Sequence, residues 1–235
     1  MFLSRRNKSI WWTLKRFVFS ILVHTSNRLF GKEIIHRSPL AGRINKLYLD
    51  LAEKVSPARR RQLRFHRENP NAPWFVPAAI PYIERELRSN FKGFEWGCGR
   101  STIWFAHRVS HITSVEGRRK WFEEVSRQLL SNQIKAQVAL QLAEVTNEHN
   151  FSQAEIERYV GAIDVITDGS LDFIVVDGHF REACLRRIGK KLRSGGLLII
   201  DNSEVLPQSL LDSLSSSNTK VWNNGIWETT IIHWN

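Results

Sequence analysis

"FEWGCGRST", Phe94 to Thr102, sets two glycines one residue apart behind an acid and follows them with a hydroxyl pair. Glycine has no Cβ, so it lets a chain turn tightly and lets a ligand touch the backbone. KGFEW, which runs into the turn, reads as a short strand, and STIWFAHRV, which leaves it, reads as a helix. Gly97-Cys98-Gly99 then lies at the carboxyl end of a strand, where open α/β sheets bind their ligands. A dinucleotide fingerprint, G-x-G-x-x-G, needs a third glycine where this chain has Thr102. Glu95, just before the turn, disfavours a pyrophosphate and favours a cation or an amine.

Outward from this turn the pattern repeats. AIPYIERELRS precedes it as a short helix with Pro81 in the first turn. HITSVEG reads as the next strand, and its terminal acid, Glu116, can accept both hydroxyls of a ribose. RRKWFEEVSRQLL is an amphipathic helix with Trp121, Phe122, Val125 and Leu129 on one side, and KAQVALQL alternates as a strand does. Residues 143–170 are polar, with a short helix expected around SQAEIERYVGAI. LDFIVVDG and LLIIDN are near-continuous apolar strands of the kind buried on both faces. EACLRRIGKKLRSGG between them is expected to be a helix closed by Gly195, and LPQSLLDSLSSS another helix. KVWNNGIWETTIIHWN looks like two strands around an Asn-Gly turn. Alternation of strands and helices over residues 80–215 predicts a doubly wound α/β sheet, and the final pair adds an antiparallel strand.

Charge divides the chain in two. Residues 1–68 hold 16 Lys and Arg against 4 Asp and Glu, while residues 69–235 hold 18 against 19. The whole net charge of +11 therefore belongs to an N-terminal extension, and the expected domains are a basic, amphipathic helical extension over 1–68 and a catalytic-type α/β domain over 69–235. In the extension, Ile10, Leu14, Phe17, Val18, Ile21 and Leu22 form one helical stripe flanked by Trp11 and Trp12. Such a helix suits an anionic membrane interface or a protein surface. The uncharged run from Phe17 to Val23 is far shorter than the roughly 20 residues of a spanning helix. A second pattern runs from Leu40 to Val55, and ARRRQLRFHRENPNAP reads as a basic helix entering a linker. Two cysteines, Cys98 and Cys184, give no disulfide framework, so a reducing, cytoplasmic setting with membrane association through residues 1–68 is the expectation.

EWGCGRST, SVEG, FIVVDGHFR and LRSGGLLIIDN, in this order and each near a strand's carboxyl end, resemble the class I S-adenosylmethionine-dependent methyltransferases over about residues 70–235. An amine-bearing nucleoside without phosphate also suits the acid-glycine turn and Glu116. The resemblance implies a Rossmann-like sheet of seven strands with the last one antiparallel. It places Glu95, Gly97, Cys98 and Gly99 near the methionine part of the cofactor, and Ser101 and Thr102 at helix-start positions that can bind its carboxylate. Glu116 becomes the ribose acid, Gly117 and Trp121 lie near the adenine, and Glu144 is the candidate acid for the adenine edge.

At the reactive end, Asp177 closes one strand and Asp201-Asn202 closes the next. Asp177 also borders the cofactor in this reading. Two carboxylates and an amide oxygen are a hard donor set suited to Mg²⁺, similar to that of catechol-type O-methyltransferases. His179 is a candidate general base, and Arg181 can pair with Asp177 or bind an acidic substrate. DGHFREAC also resembles a DG-x-FR turn of some small bacterial methyltransferases. The expected activity is O-methylation of a small-molecule, glycan or lipid-linked acceptor. The alternatives are an RNA methyltransferase that uses the basic extension, and a non-catalytic module that binds cofactor or partner.

Overall fold

The computed structural model describes residues 56–132, 134, 136–146, 151–215 and 217–235. The amphipathic stripe at 10–22 and the pattern at 40–55 lie outside the described residues. The chain divides into two units, one of residues 1–68 with 224–226 and one of 69–223 with 227–235. In the first, helix α1 (Pro57–Glu68) carries the arginine run, and its buried Gln62 and His66 bond to each other one turn apart at 3.1 Å. Among the described residues no helix is long and apolar enough to cross a membrane.

The second unit is built on a seven-stranded sheet: β1 (Lys92–Trp96), β2 (His111–Glu116), β3 (Gln137–Leu142), β4 (Leu171–Val176), β5 (Leu192–Asp201), β6 (Thr219–Asn223) and β7 (Glu228–His233). Their order across the sheet is β3-β2-β1-β4-β5-β7-β6. Strands β1 to β5 pair in parallel, and β7 inserts antiparallel between β5 and β6. The doubly wound, Rossmann-like sheet with an antiparallel last strand is as the sequence predicts. Helices α2 (Ile80–Glu86), α3 (Arg100–Ala106), α4 (Arg119–Ser131), α5 (Gln153–Val160), α6 (Arg181–Arg187) and α7 (Gln208–Leu214) complete the unit. Helix α5 starts at a capping box, in which Ser152 and Glu155 satisfy each other's backbone N–H groups.

The apolar runs become the core. Phe173, Ile174, Val175 and Val176 of β4 and Leu198, Ile199 and Ile200 of β5 are all fully buried. Gly93 of β1 stands opposite Phe173, whose ring fills the space a side chain would take, within 2.4 Å of an added Cβ. The Phe173 ring then stacks on Phe105 of α3 at 4.9 Å, so the strand glycine is what lets helix and sheet lock together.

One element differs from expectation. The helix expected to run to Gly195 stops at Arg187, and β5 already starts at Leu192. Gly189 takes the left-handed conformation just after the helix (φ 53°), the conformation that terminates helices. Gly195 (φ 71°) lies inside β5, where the register against β4 shifts between Leu171 and Phe173. It serves a bulge and not a helix cap. Helix α4 also packs less deeply than its stripe suggests: Val125 is buried, whereas Trp121 is 45% exposed.

The reversal of strand order falls between β1 and β4. The turns that leave β1, β2 and β4 therefore gather on one edge of the sheet, and the crevice between β1 and β4 opens there.

Candidate functional site

A cavity of about 420 Å³ occupies that crevice, bounded by Gly97, Cys98, Glu116, Trp121, Asp177 and Arg181, with Arg118, Gly178 and His179 between them. Its floor is backbone. Gly97 (φ 94°) turns the chain out of β1 in a conformation reserved for glycine, and the β4 ladder continues one step further as Asp177 N–H donates to the Trp96 carbonyl at 3.0 Å.

Glu116 forms one wall. It is 4% exposed. Its Oε2 accepts from the Cys98 N–H at 3.2 Å and its Oε1 from the Arg118 N–H at 2.7 Å. Burial raises its pKa, while the Arg118 N–H, the Cys98 side chain and the Arg118 charge work in the opposite direction. Each oxygen keeps acceptor capacity beyond the one bond it makes. The carboxylate is thus fixed in place and still able to receive a pair of hydroxyls. The Trp121 indole N–H donates to the Cys98 carbonyl, which sets its exposed ring beside the same turn.

Glu95 has a different place from the one its sequence position suggests. It is fully buried and does not border the cavity. Thr102 Oγ1 donates to its Oε2 at 2.6 Å and Ser114 Oγ at 2.8 Å, while Thr102 Oγ1 in turn accepts from the Gly99 N–H at 2.9 Å. Thr102, one of the hydroxyl pair expected to bind a cofactor carboxylate, is therefore spent on Glu95, and Glu95, Thr102 and Ser114 together brace the glycine turn from below. Burial pushes the Glu95 pKa up to about 7, against the pull of those hydroxyls, and its Oε1 has no partner. Gly99 has an extended backbone and borders Trp121.

His179 stands on the Glu116 side. An added Cβ on Gly117 would lie 2.7 Å from its Cδ2, so Gly117 makes room for the imidazole and not for a ligand. The His179 N–H donates to Tyr159 Oη at 3.3 Å. Glu144 is held away from the cavity by a two-point pair with Arg119, at 2.9 and 2.6 Å. The Cys98 and Cys184 thiols are buried, and burial raises the pKa of both, which suits packing and not nucleophilic attack.

Asp177, Asp201 and Asn202 do come together, with Arg181 at their centre. Arg181 Nη2 donates to Asp177 Oδ1 at 2.9 Å, to the Asp177 carbonyl at 2.8 Å and to Asn202 Oδ1 at 3.2 Å. Burial raises the pKa of Asp177, and burial plus the Asp177 charge raises that of Asp201 well above its ordinary value. Asp201 Oδ1 accepts from Thr229 Oγ1 at 2.9 Å. Asn202 adopts the left-handed conformation (φ 52°) that turns the chain out of β5. This set does not fit the expected Mg²⁺. A guanidinium already bonds Asp177 and Asn202 and supplies the positive charge, and among the described residues no group of three His, Cys, Asp or Glu could hold a metal.

Two site residues were not singled out from the sequence. Arg118 had a signal, since it lies two positions after Glu116. Tyr159 had none, because it reaches the site only through the packing of α5.

No family model matches the sequence, and no curated protein does. Among solved structures, a methyltransferase-like protein from Silicibacter pomeroyi is 19% identical, with 69% of this chain and 88% of that one aligned at a TM-score of 0.54. A proposed methyltransferase from Streptococcus mutans, solved in complex with SAH, is 12% identical, with 66% and 94% aligned at a TM-score of 0.50. Together with the strand order and the crevice at β1 and β4, this likeness gives the chain the fold of the class I S-adenosylmethionine-dependent methyltransferases.

Proposed function

We propose that the protein is an S-adenosylmethionine-dependent methyltransferase acting on an oxygen acceptor. The observation that carries this reading is the cavity at the switch point. A side-chain-free turn at Gly97 and Gly178 forms its floor, a fixed, buried carboxylate at Glu116 its wall, and the Trp121 ring its rim. This combination fits a nucleoside with an amino-acid tail. Glu116 takes the ribose hydroxyls, Trp121 covers the adenine, and the Gly97–Cys98 backbone faces the amino-acid portion. S-adenosylmethionine bound there supplies a methyl carbon whose bond to sulfur breaks, with the electron pair left on sulfur, as an acceptor oxygen bonds to it.

The chain's own residues have separate tasks. Glu95 with Thr102 and Ser114 holds the glycine turn in shape. His179, packed on Gly117, closes the nucleoside end and is reassigned from general base to a positioning residue. Asp177 holds Arg181, and Arg181 faces the acceptor side with a fixed positive charge. Alignment of two partners in a pocket closed to water is the main catalytic resource of such a site. Calorimetry with S-adenosylmethionine and SAH tests the reading. Micromolar binding that Glu116→Ala weakens at least about tenfold, as expected for loss of hydrogen bonds to a charged group, supports it, and no binding by folded protein rejects it.

A second reading, an RNA acceptor, draws on a cavity of about 550 Å³ beside Trp121, lined by Arg100, Arg118, Lys120 and Arg127. It calls for RNA binding with a steep salt dependence. Contact of residues 1–68 with an anionic membrane is a further proposal, and flotation with vesicles before and after deletion of that segment tests it.

A further inference from the structure

Arg181 borders two cavities. One is the cofactor crevice, and the other has a volume of about 510 Å³. The second is walled by Ile156, Phe180, Val205, Leu206 and Pro207. Val205 is 53% exposed at its mouth. Phe180 holds a left-handed backbone (φ 53°) that a bulky residue rarely adopts. Its ring is gripped edge-on by Phe151 at 4.7 Å and by Tyr159 at 5.8 Å. Strain of this kind persists where surrounding packing enforces it, and it collects at ligand sites. The other charges on this wall, Glu182 and Arg186, are paired with each other at 2.8 Å.

Arg181 keeps unused hydrogen-bonding capacity on this wall. All three of its protein bonds fall on Nη2. Its Nε is buried with no acceptor. A guanidinium has five N–H groups in a rigid fork that matches an oxyanion. The Asp177 charge is met by Nη2 at 2.9 Å.

We infer that this second cavity is the acceptor site, and that the acceptor is a small molecule with an apolar, ring-sized body and an acidic oxygen group, a carboxylate or a phenolate. The body lies on Phe180, Val205 and Leu206, and the oxygen group binds Arg181. The volume is that of a typical small-ligand pocket. The inference rests on the methyltransferase reading for the meaning of "acceptor", but the binding site stands or falls on its own.

The test uses four compounds of one shape: 2-naphthoate, 2-naphthol, naphthalene-2-carboxamide and 2-naphthylmethylammonium. Each is titrated into the full-length protein by calorimetry, with and without saturating SAH. One-to-one binding is expected for the naphthoate or the naphthol, at least about tenfold tighter than for the amide or the ammonium, as a charge-assisted bond requires. The tighter of the two acids tells carboxylate from phenolate. Arg181→Gln should abolish the preference for the acid. Val205→Asp, at an exposed position, should weaken the naphthoate, the naphthol and the amide. Equal binding of all four compounds, binding indifferent to Val205→Asp, or no binding by protein that does bind SAH overturns the inference and leaves the methyltransferase reading intact. Failure to bind SAH rejects that reading instead, and the titrations without SAH still decide the cavity.

Discussion

An added Cβ on Gly97 would lie 2.7 Å from the Cα and the N of Gly178. The turns after β1 and β4 thus meet backbone to backbone, and this contact makes the cavity floor flat. On its other side Gly178 faces Tyr159, whose Oη lies 1.8 Å from where a Cβ would sit. Gly178→Ala should therefore cost about 1–3 kcal/mol or more, the usual range for overpacking. Tyr159→Phe removes the clashing oxygen, at the expense of the acceptor for His179 N–H. In that background the alanine should cost clearly less, though not nothing, because the Gly97 backbone remains 2.9 Å away. Urea denaturation of the two single variants and the double variant measures the coupling. Strictly additive losses would show that the tyrosine does not set the limit.

Glu95 predicts a pH dependence of stability. Its pKa is raised from 4.5 to about 7 in the folded state, so between these values the folded protein binds a proton that the unfolded chain releases. Stability from this group is complete below pH 4.5, declines as pH rises and is lost above about 7. Two and a half pH units correspond to about 3 kcal/mol. Glu95→Gln keeps the acceptor for Thr102 and Ser114 and cannot ionise. The stability difference between variant and wild type should move in the variant's favour by about 3 kcal/mol from pH 4 to pH 8. A constant difference over that range would mean that Glu95 is ionised throughout.

Much of this fold was legible because its signals are local. Apolar runs such as FIVV and LLII can only be strands buried on both faces, and Gly97 and Gly99 mark a turn at any level of detail. The helix end was misread because Gly189 and Gly195 both offer the left-handed conformation, and only pairing with β4 shows that the chain is already in β5 by Leu192. In the site, Glu116 was legible from its place at the end of a strand. Glu95 was not, since an acid before a glycine turn reads the same whether it faces a ligand or, as here, two hydroxyls beneath the turn. The misreading of Asp177, Asp201 and Asn202 as metal ligands has a similar origin. Sequence brings three oxygen donors to adjacent strand ends but does not say that Arg181, the first residue of α6, reaches from Asp177 to Asn202.

Trp121 should report on the nucleoside. Its ring is 45% exposed beside the Cys98 carbonyl that its indole N–H binds. Stacking of a base on an aromatic ring contributes about 1–3 kcal/mol by alanine substitution. Trp121→Ala should thus weaken SAH about tenfold or more, whereas Trp121→Phe, which keeps a stacking face and loses only the bond to Cys98, should weaken it less. Calorimetry gives both values. Equal affinity for the wild type and the alanine variant would place the adenine elsewhere.

Asp177 and Asp201 should respond differently to the same change. Burial and the Asp177 charge favour a neutral Asp201, and its Oδ1 accepts from Thr229. An amide is neutral and keeps that acceptor, so Asp201→Asn should change stability by less than about 1 kcal/mol near pH 5. Because the Asp201 pKa is raised, the wild type loses stability as pH rises through the folded-state value, and the variant should gain on it steadily towards alkaline pH. Asp177→Asn is not neutral at any pH. It removes the charge opposite Arg181, whose side chain is only 22% exposed, and leaves a largely buried cation without its partner, a change that destabilises by up to about 3–5 kcal/mol in a fully buried site. Thermal melts of both variants from pH 5 to pH 9 separate the two behaviours. Matching losses for the two variants would mean that the proton is not held on Asp201.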